Sequence, residues 1–128
     1  MNNTPVPGPL VLIVDDNEKN LKLARDVLRA AGFRTMEAET AAEGIALANE
    51  QLPDLVLMDL RLPDIDGTEA NRRLAANPRT AGIPVVALTS LALEDVSGWL
   101  DSAGFRGYLG KPIDVEAFPE QVRRYCRG

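Results

Sequence analysis

LVLIVDD, residues 10–16, is five apolar residues in a row ending abruptly in two carboxylates. Leu10 to Val14 show no alternation with polar residues, so both sides of the segment need cover. Strands buried on both faces read this way, and they belong to parallel sheets with helices on either side. Two more runs repeat the design: LVLM (Leu55 to Met58) leads into Asp59, and VVAL (Val85 to Leu88) into Thr89-Ser90. These three are expected as central strands. FRTMEA (Phe33 to Ala38) and GYLG (Gly107 to Gly110) are weaker and more polar, and are expected nearer the sheet edges.

Between the runs the apolar period changes to that of a helix. Leu21, Ala24, Leu28 and Ala31 fall on one face and stop at Gly32. Thr40 with Glu43 forms a capping-box pattern that opens a helix through Ala48, which must end before Pro53. Thr68 to Ala76, closed by Asn77-Pro78, predicts a third helix, and Leu93, Val96, Leu100 and Ala103 a fourth. Gly98 lies inside the fourth and weakens it by about 1 kcal/mol relative to alanine. A fifth helix runs towards Tyr125. Pro119 falls inside it if Asp114 is its cap, so a late start or a kink is expected.

Five βα units with no internal repeat predict a flavodoxin-like doubly wound (βα)5 domain, a three-layer sandwich on a parallel five-stranded sheet of order 2-1-3-4-5. Pro5, Pro7 and Pro9 with Gly8 make residues 1–9 an expected flexible tail, and the domain occupies residues 10–128.

The chain of 128 residues, 45% hydrophobic and 26% charged, has room for one such domain. A net charge of −5 disfavours nucleic-acid backbones, which are bound by clustered Lys and Arg. The start MNNTPVPGPL has no leader features, no apolar run approaches a bilayer span, and the single cysteine, Cys126, cannot form an internal disulfide. A cytoplasmic, non-membrane protein is expected. Histidine is absent, so any imidazole chemistry must come from another molecule.

In doubly wound sheets ligands lie outside the carboxyl ends of the strands. Here those ends carry Asp15-Asp16, Asp59, Thr89-Ser90 and Lys111-Pro112. An Asp-Asp pair alone is ordinarily a loop or a helix cap. Three carboxylates converging on one end, however, repel one another unless a cation neutralises them. Mg²⁺ suits the set, because it takes one or two carboxylates, keeps waters and completes its shell with phosphate oxygens. Asp15 and Asp16 would hold it, and Asp59 would touch it and act as nucleophile toward phosphorus. Lys111 and the Thr89 hydroxyl would stabilise the phosphoryl oxygens.

With Asp15-Asp16, Asp59, Thr89 and Lys111-Pro112 in hand, the chain resembles response-regulator receiver domains over roughly Leu10 to Cys126. DLRLPDIDG fits the loop after that family's phosphorylated Asp, with Pro63 and Gly67 at the usual offsets. VDDNEKN, with Asn17 and Asn20, is similar to DivK-type single-domain regulators and to receivers attached to hybrid kinases. The resemblance implies a single-domain response regulator of a two-component phosphorelay. It implies Asp59 as phosphoacceptor, Mg²⁺ as cofactor with the Arg61 backbone carbonyl as a further metal ligand, and a cis bond before Pro112. Arg61, Ser90 and Leu91 would tune hydrolysis. Thr89 and Tyr108 would form a switch that reshapes the surface of the fourth helix, fifth strand and fifth helix. The donor would be a phosphohistidine on a histidine kinase or histidine phosphotransfer protein, and the readout docking to a downstream protein, as a monomer or a phosphorylation-linked dimer.

Bland roles compete for single residues: Tyr108 as an edge residue, Trp99 as a half-buried helix aromatic, Cys126 as inert packing, and Arg123, Arg124 and Arg127 as complements to the last helix's dipole. Three other functions compete with this one. A pseudo-receiver binding module would lack an acidic, Thr or Lys position, and none is lacking. A phosphohydrolase would want a second Asp where Arg61 stands. A flavin carrier would not place Asp15-Asp16 where a phosphate must bind.

Overall fold

The computed structural model describes residues 8–90, 98, 100 and 102–126. Leu91, Leu93, Val96, Trp99 and Arg127, together with most of the expected N-terminal tail, lie outside the described residues. The five strands are β1 (Leu10–Val14), β2 (Arg34–Ala38), β3 (Leu55–Asp59), β4 (Val85–Thr89) and β5 (Gly107–Gly110). Every neighbouring pair is parallel and the order is β2-β1-β3-β4-β5. The unbroken apolar runs are the three central strands, and the two more polar segments are the edges.

Within each central strand alternate side chains go to opposite faces. Leu12, Val14, Val56, Met58, Val85 and Ala87 pack on one side with helices α2 (Ala41–Gln51) and α3 (Gly67–Ala76), joined by Leu100 and Phe105. Val11, Ile13, Leu55, Leu57, Val86 and Leu88 pack on the other with α1 (Glu18–Ala30) and the C-terminal helix (Phe118–Tyr125). The result is the three-layer sandwich.

Local signals fix the helix ends. The Asn17 side chain accepts from the Lys19 and Asn20 amides and starts α1, which stops at Gly32 with its φ of 95°. Thr40 Oγ1 accepts from the Glu43 amide, but the Glu43 carboxylate reaches the Glu39 amide, one residue before the one a capping box would use. Expected through Ala48, α2 continues to Gln51 because Leu52, left-handed at φ 49°, ends it immediately before Pro53. The C-terminal helix starts late, as Pro119 requires. Asp114 caps a turn ahead of it, accepting from the Glu116 and Ala117 amides, and Pro119 then sits in the first helical turn, where a missing amide is harmless.

Gly8 and Pro9, assigned from sequence to the tail, lie along β2. Arg34 donates its amide to Pro9 and its side chain to the Gly8 carbonyl, and a Cβ on Gly8 would collide with the Gly32 carbonyl oxygen. Arg123 reaches the end of α1, donating to the Ala31 carbonyl and lying 4.9 Å from the Phe33 ring centroid. Cys126 packs half-buried on the α1 side of the sheet, and burial first, then Asp54, pushes its thiol up to about 11. Its alkylation by iodoacetamide at pH 8, followed by mass, is expected to run roughly two orders of magnitude slower than that of an ordinary thiol.

Gly98 is helical and exposed, with nothing within 4 Å of where a Cβ would stand. Gly98→Ala is expected to raise stability by about 1 kcal/mol, read as a higher urea midpoint at unchanged slope. An unchanged midpoint would show that the glycine's backbone freedom costs the fold nothing.

Candidate functional site

Asp15, Asp59, Thr89 and Lys111 stand at or just past the carboxyl ends of the strands. Asp15 follows β1 and extends its ladder, donating its amide to the Ala38 carbonyl at 3.0 Å. Asp59 closes β3, Thr89 closes β4, and Lys111 follows β5 with its amide on the Thr89 carbonyl at 2.8 Å. The Lys111-Pro112 peptide bond is cis. The parallel sheet thus delivers Asp15, Asp59 and Lys111 to one open cleft, whose lining also takes in Asp16, Asn17, Asn20, Arg61 and Ser90.

The cleft's electrostatics centre on one ammonium. Lys111 Nζ lies 2.7 Å from Asp15 Oδ2 and 3.1 Å from Asp59 Oδ2, bridging two carboxylates that are otherwise nearly closed off from water. Asp15, 1% exposed, also accepts from the Asn17 amide and, at 3.4 Å, from Asn20 Nδ2. Asp59 Oδ1 accepts from the Arg61 amide at 3.0 Å. Burial pushes the Asp59 carboxyl above its ordinary range, and the Arg61 amide and Lys111 only partly oppose this. Asp16 is exposed, yet Asp15, Asp16 and Asp59 each offer a carboxylate oxygen within 4.8 Å of the others. Hard oxygens so close, with a cation already drawn between two of them, are a donor set suited to a divalent ion.

The loop after Asp59 is closed tightly. The Gly67 amide returns to the Leu60 carbonyl, and a Cβ on Gly67 would stand 2.5 Å from the Asp59 carbonyl oxygen, so only glycine fits there. Arg61 and Pro63 are exposed on this loop, and Ser90 is exposed just past β4. Thr89 is buried at 3% exposure, in register with Gly110. Tyr108 is half-buried, paired with Ala87 and packed on the α2–α3 side of the core.

Sequence reasoning missed Asp64. Its two carboxylate oxygens accept from the Ala41 and Ala42 amides, both at 2.9 Å, tying the loop to the first turn of α2. These bonds hold its carboxyl below the ordinary carboxylate range, the Ala41 amide foremost. No local pattern marks such a residue, because its partners lie 23 and 22 positions earlier in the chain.

The model of the response regulator receiver domain matches residues 11–123. This chain belongs to that family. The receiver domain is 38% identical over 115 residues to the polar-differentiation response regulator DivK of Brucella ovis, covering 90% of this chain and 94% of that protein. A putative response regulator of Chloroflexus aurantiacus superposes with a TM-score of 0.84 at 30% identity, over 92% of this chain and 97% of that one. The receiver domain of a Pseudomonas aeruginosa sensor histidine kinase gives 0.83 at 31% identity, over 92% and 97% of the two chains, and is described with a magnesium ion coordinated in its active-site cleft. Receiver domains are signalling switches rather than metabolic enzymes. Among the described residues no helix is long and apolar enough to cross a membrane.

Proposed function

We propose that this receiver domain stores a signal as a phosphoryl group on Asp59, taken from the phosphohistidine of a histidine kinase or histidine phosphotransfer protein. The observation that carries the reading is the Lys111 ammonium held between Asp15 and Asp59 at the mouth of the cleft. A carboxylate that must attack phosphorus needs a cation beside it, poised for the oxygens of the incoming group. A carboxylate oxygen of Asp59 forms the new O–P bond, the P–N bond to the donor's imidazole breaks, and the nitrogen keeps the electron pair. Lys111 then faces a phosphoryl oxygen, and the Thr89 hydroxyl donates to another.

Asp15, Asp16 and Asp59, with the Arg61 backbone carbonyl, would hold Mg²⁺, and the bound ion would neutralise charge on the phosphoryl oxygens. Arg61 and Ser90 line the cleft beside the group and set its lifetime against water. Thr89 and Tyr108 lie at the end of β4 and on the neighbouring β5. A shift of Thr89 toward the phosphoryl group therefore reshapes the surface around β5 and the C-terminal helix, where a downstream protein docks.

Intact-mass measurement after incubation with acetyl phosphate and Mg²⁺ tests this. One phosphoryl mass should be added, and it should be lost on treatment with hydroxylamine, which cleaves acyl phosphates. A native protein that gains no mass under these conditions is a docking module that works without phosphate.

A further inference from the structure

The first turn of α2 has three amides without helical partners. Thr40 Oγ1 takes the one from Glu43, as a helix cap ordinarily does. The other two, from Ala41 and Ala42, are each met by one oxygen of Asp64, at 2.9 Å. Asp64 belongs to the loop that begins at the phosphoacceptor, and its side chain is otherwise exposed. The same loop is held at its start by the Arg61 amide on Asp59 Oδ1, and at its end by the Gly67 amide on the Leu60 carbonyl. Between those two fixed points Leu62 and Ile65 rest on the core and Asp66 caps α3. Asp64 fastens this segment to a helix packed on β1 and β2 and against α3.

We propose that Asp64 is a positioning residue for the divalent ion: by clamping the loop to the amino end of α2 it sets the direction of the Arg61 carbonyl. The proposal rests on the metal-dependent reading of the cleft. Asp64 touches neither ion nor phosphoryl group and acts only through the backbone three residues earlier. Both carboxylate oxygens are engaged, so the requirement is narrow. Asparagine has the same shape but one acceptor oxygen, and its NH2 would oppose one of the two amides.

Coupling is reciprocal: if the clamp places the carbonyl for the ion, the ion must in turn tighten the clamp. In the native protein, Mg²⁺ titration should shift the amide resonances of Ala41 and Ala42 and slow their hydrogen exchange. Asp64→Asn should bind Mg²⁺ about tenfold more weakly by calorimetry, the size of effect found when an outer partner of a metal ligand is lost. It should also need correspondingly more Mg²⁺ for half-maximal uptake from acetyl phosphate, yet reach nearly the native rate at saturation. A purely structural role would lower the urea midpoint without moving the Mg²⁺ affinity. Native protein that binds Mg²⁺ with the Ala41 and Ala42 amides unmoved, or Asp64→Asn binding Mg²⁺ as tightly as native, overturns the clamp and leaves the cleft reading intact. Native protein that binds no Mg²⁺ overturns the cleft reading itself.

Discussion

Asp59→Asn is expected to gain no phosphoryl group under conditions that load the native protein completely. The amide that replaces the carboxylate is not a nucleophile toward phosphorus, and its neighbours are poorly placed to substitute. Asp15 is 1% exposed and committed to Lys111, Asn17 and Asn20. Asp16 is exposed, but no ion pair ties it to Lys111, whose ammonium turns to Asp15 and Asp59. The substitution keeps size and shape, and the Arg61 amide still finds an oxygen, so the fold should survive. Unfolding in urea alongside intact mass separates the two possibilities. A variant that folds and still gains one phosphoryl mass would move the acceptor to another residue.

The second large effect is expected at Lys111. Lys111→Ala should slow uptake from acetyl phosphate by about two to three orders of magnitude at saturating Mg²⁺, the size of loss seen when one preorganised stabiliser of transition-state charge is removed. Its metal dependence should run opposite to that of Asp64→Asn. Without the ammonium, Asp15 and Asp59 face each other with no counter-charge, so a divalent ion is held at least as tightly while the chemistry is slow. Asp64→Asn weakens the ion and spares the saturated rate. Rates measured across a Mg²⁺ series distinguish the two variants. A Lys111→Ala rate within a few-fold of native would remove lysine from the reaction and leave charge stabilisation to the ion and the Thr89 hydroxyl.

The central strands were readable because nothing in Leu10 to Val14, Leu55 to Met58 or Val85 to Leu88 is polar. The same uniformity hid which side chains meet α1 and which meet α2, since alternation leaves no mark when both faces are apolar. Pro119 forced a late C-terminal helix, a restriction any reader can apply to one residue. Leu52 gave no warning that it would turn left-handed and carry α2 past Ala48, because that geometry depends on the turn into Pro53. Within the site, the rule about carboxyl ends brought Asp15, Asp59, Thr89 and Lys111 to one place. What it left out were contacts made across the chain: the shared ammonium, and Asp64 on α2. Short-range patterns report the residue that starts a helix; they do not report one that holds it from another loop.

The suppressed ionisation of Cys126 has a practical side. At neutral pH its thiol is expected to react far more slowly than an ordinary one, so probes should go onto new cysteines without first replacing the native one. Among the described residues, Leu23 on α1 and Val115 beyond the cis bond are the exposed large hydrophobics, at 40% and 52%, on two segments that flank the cleft. Spin labels or fluorophore pairs at Leu23→Cys and Val115→Cys would report the width between them as a distance, before and after phosphoryl loading.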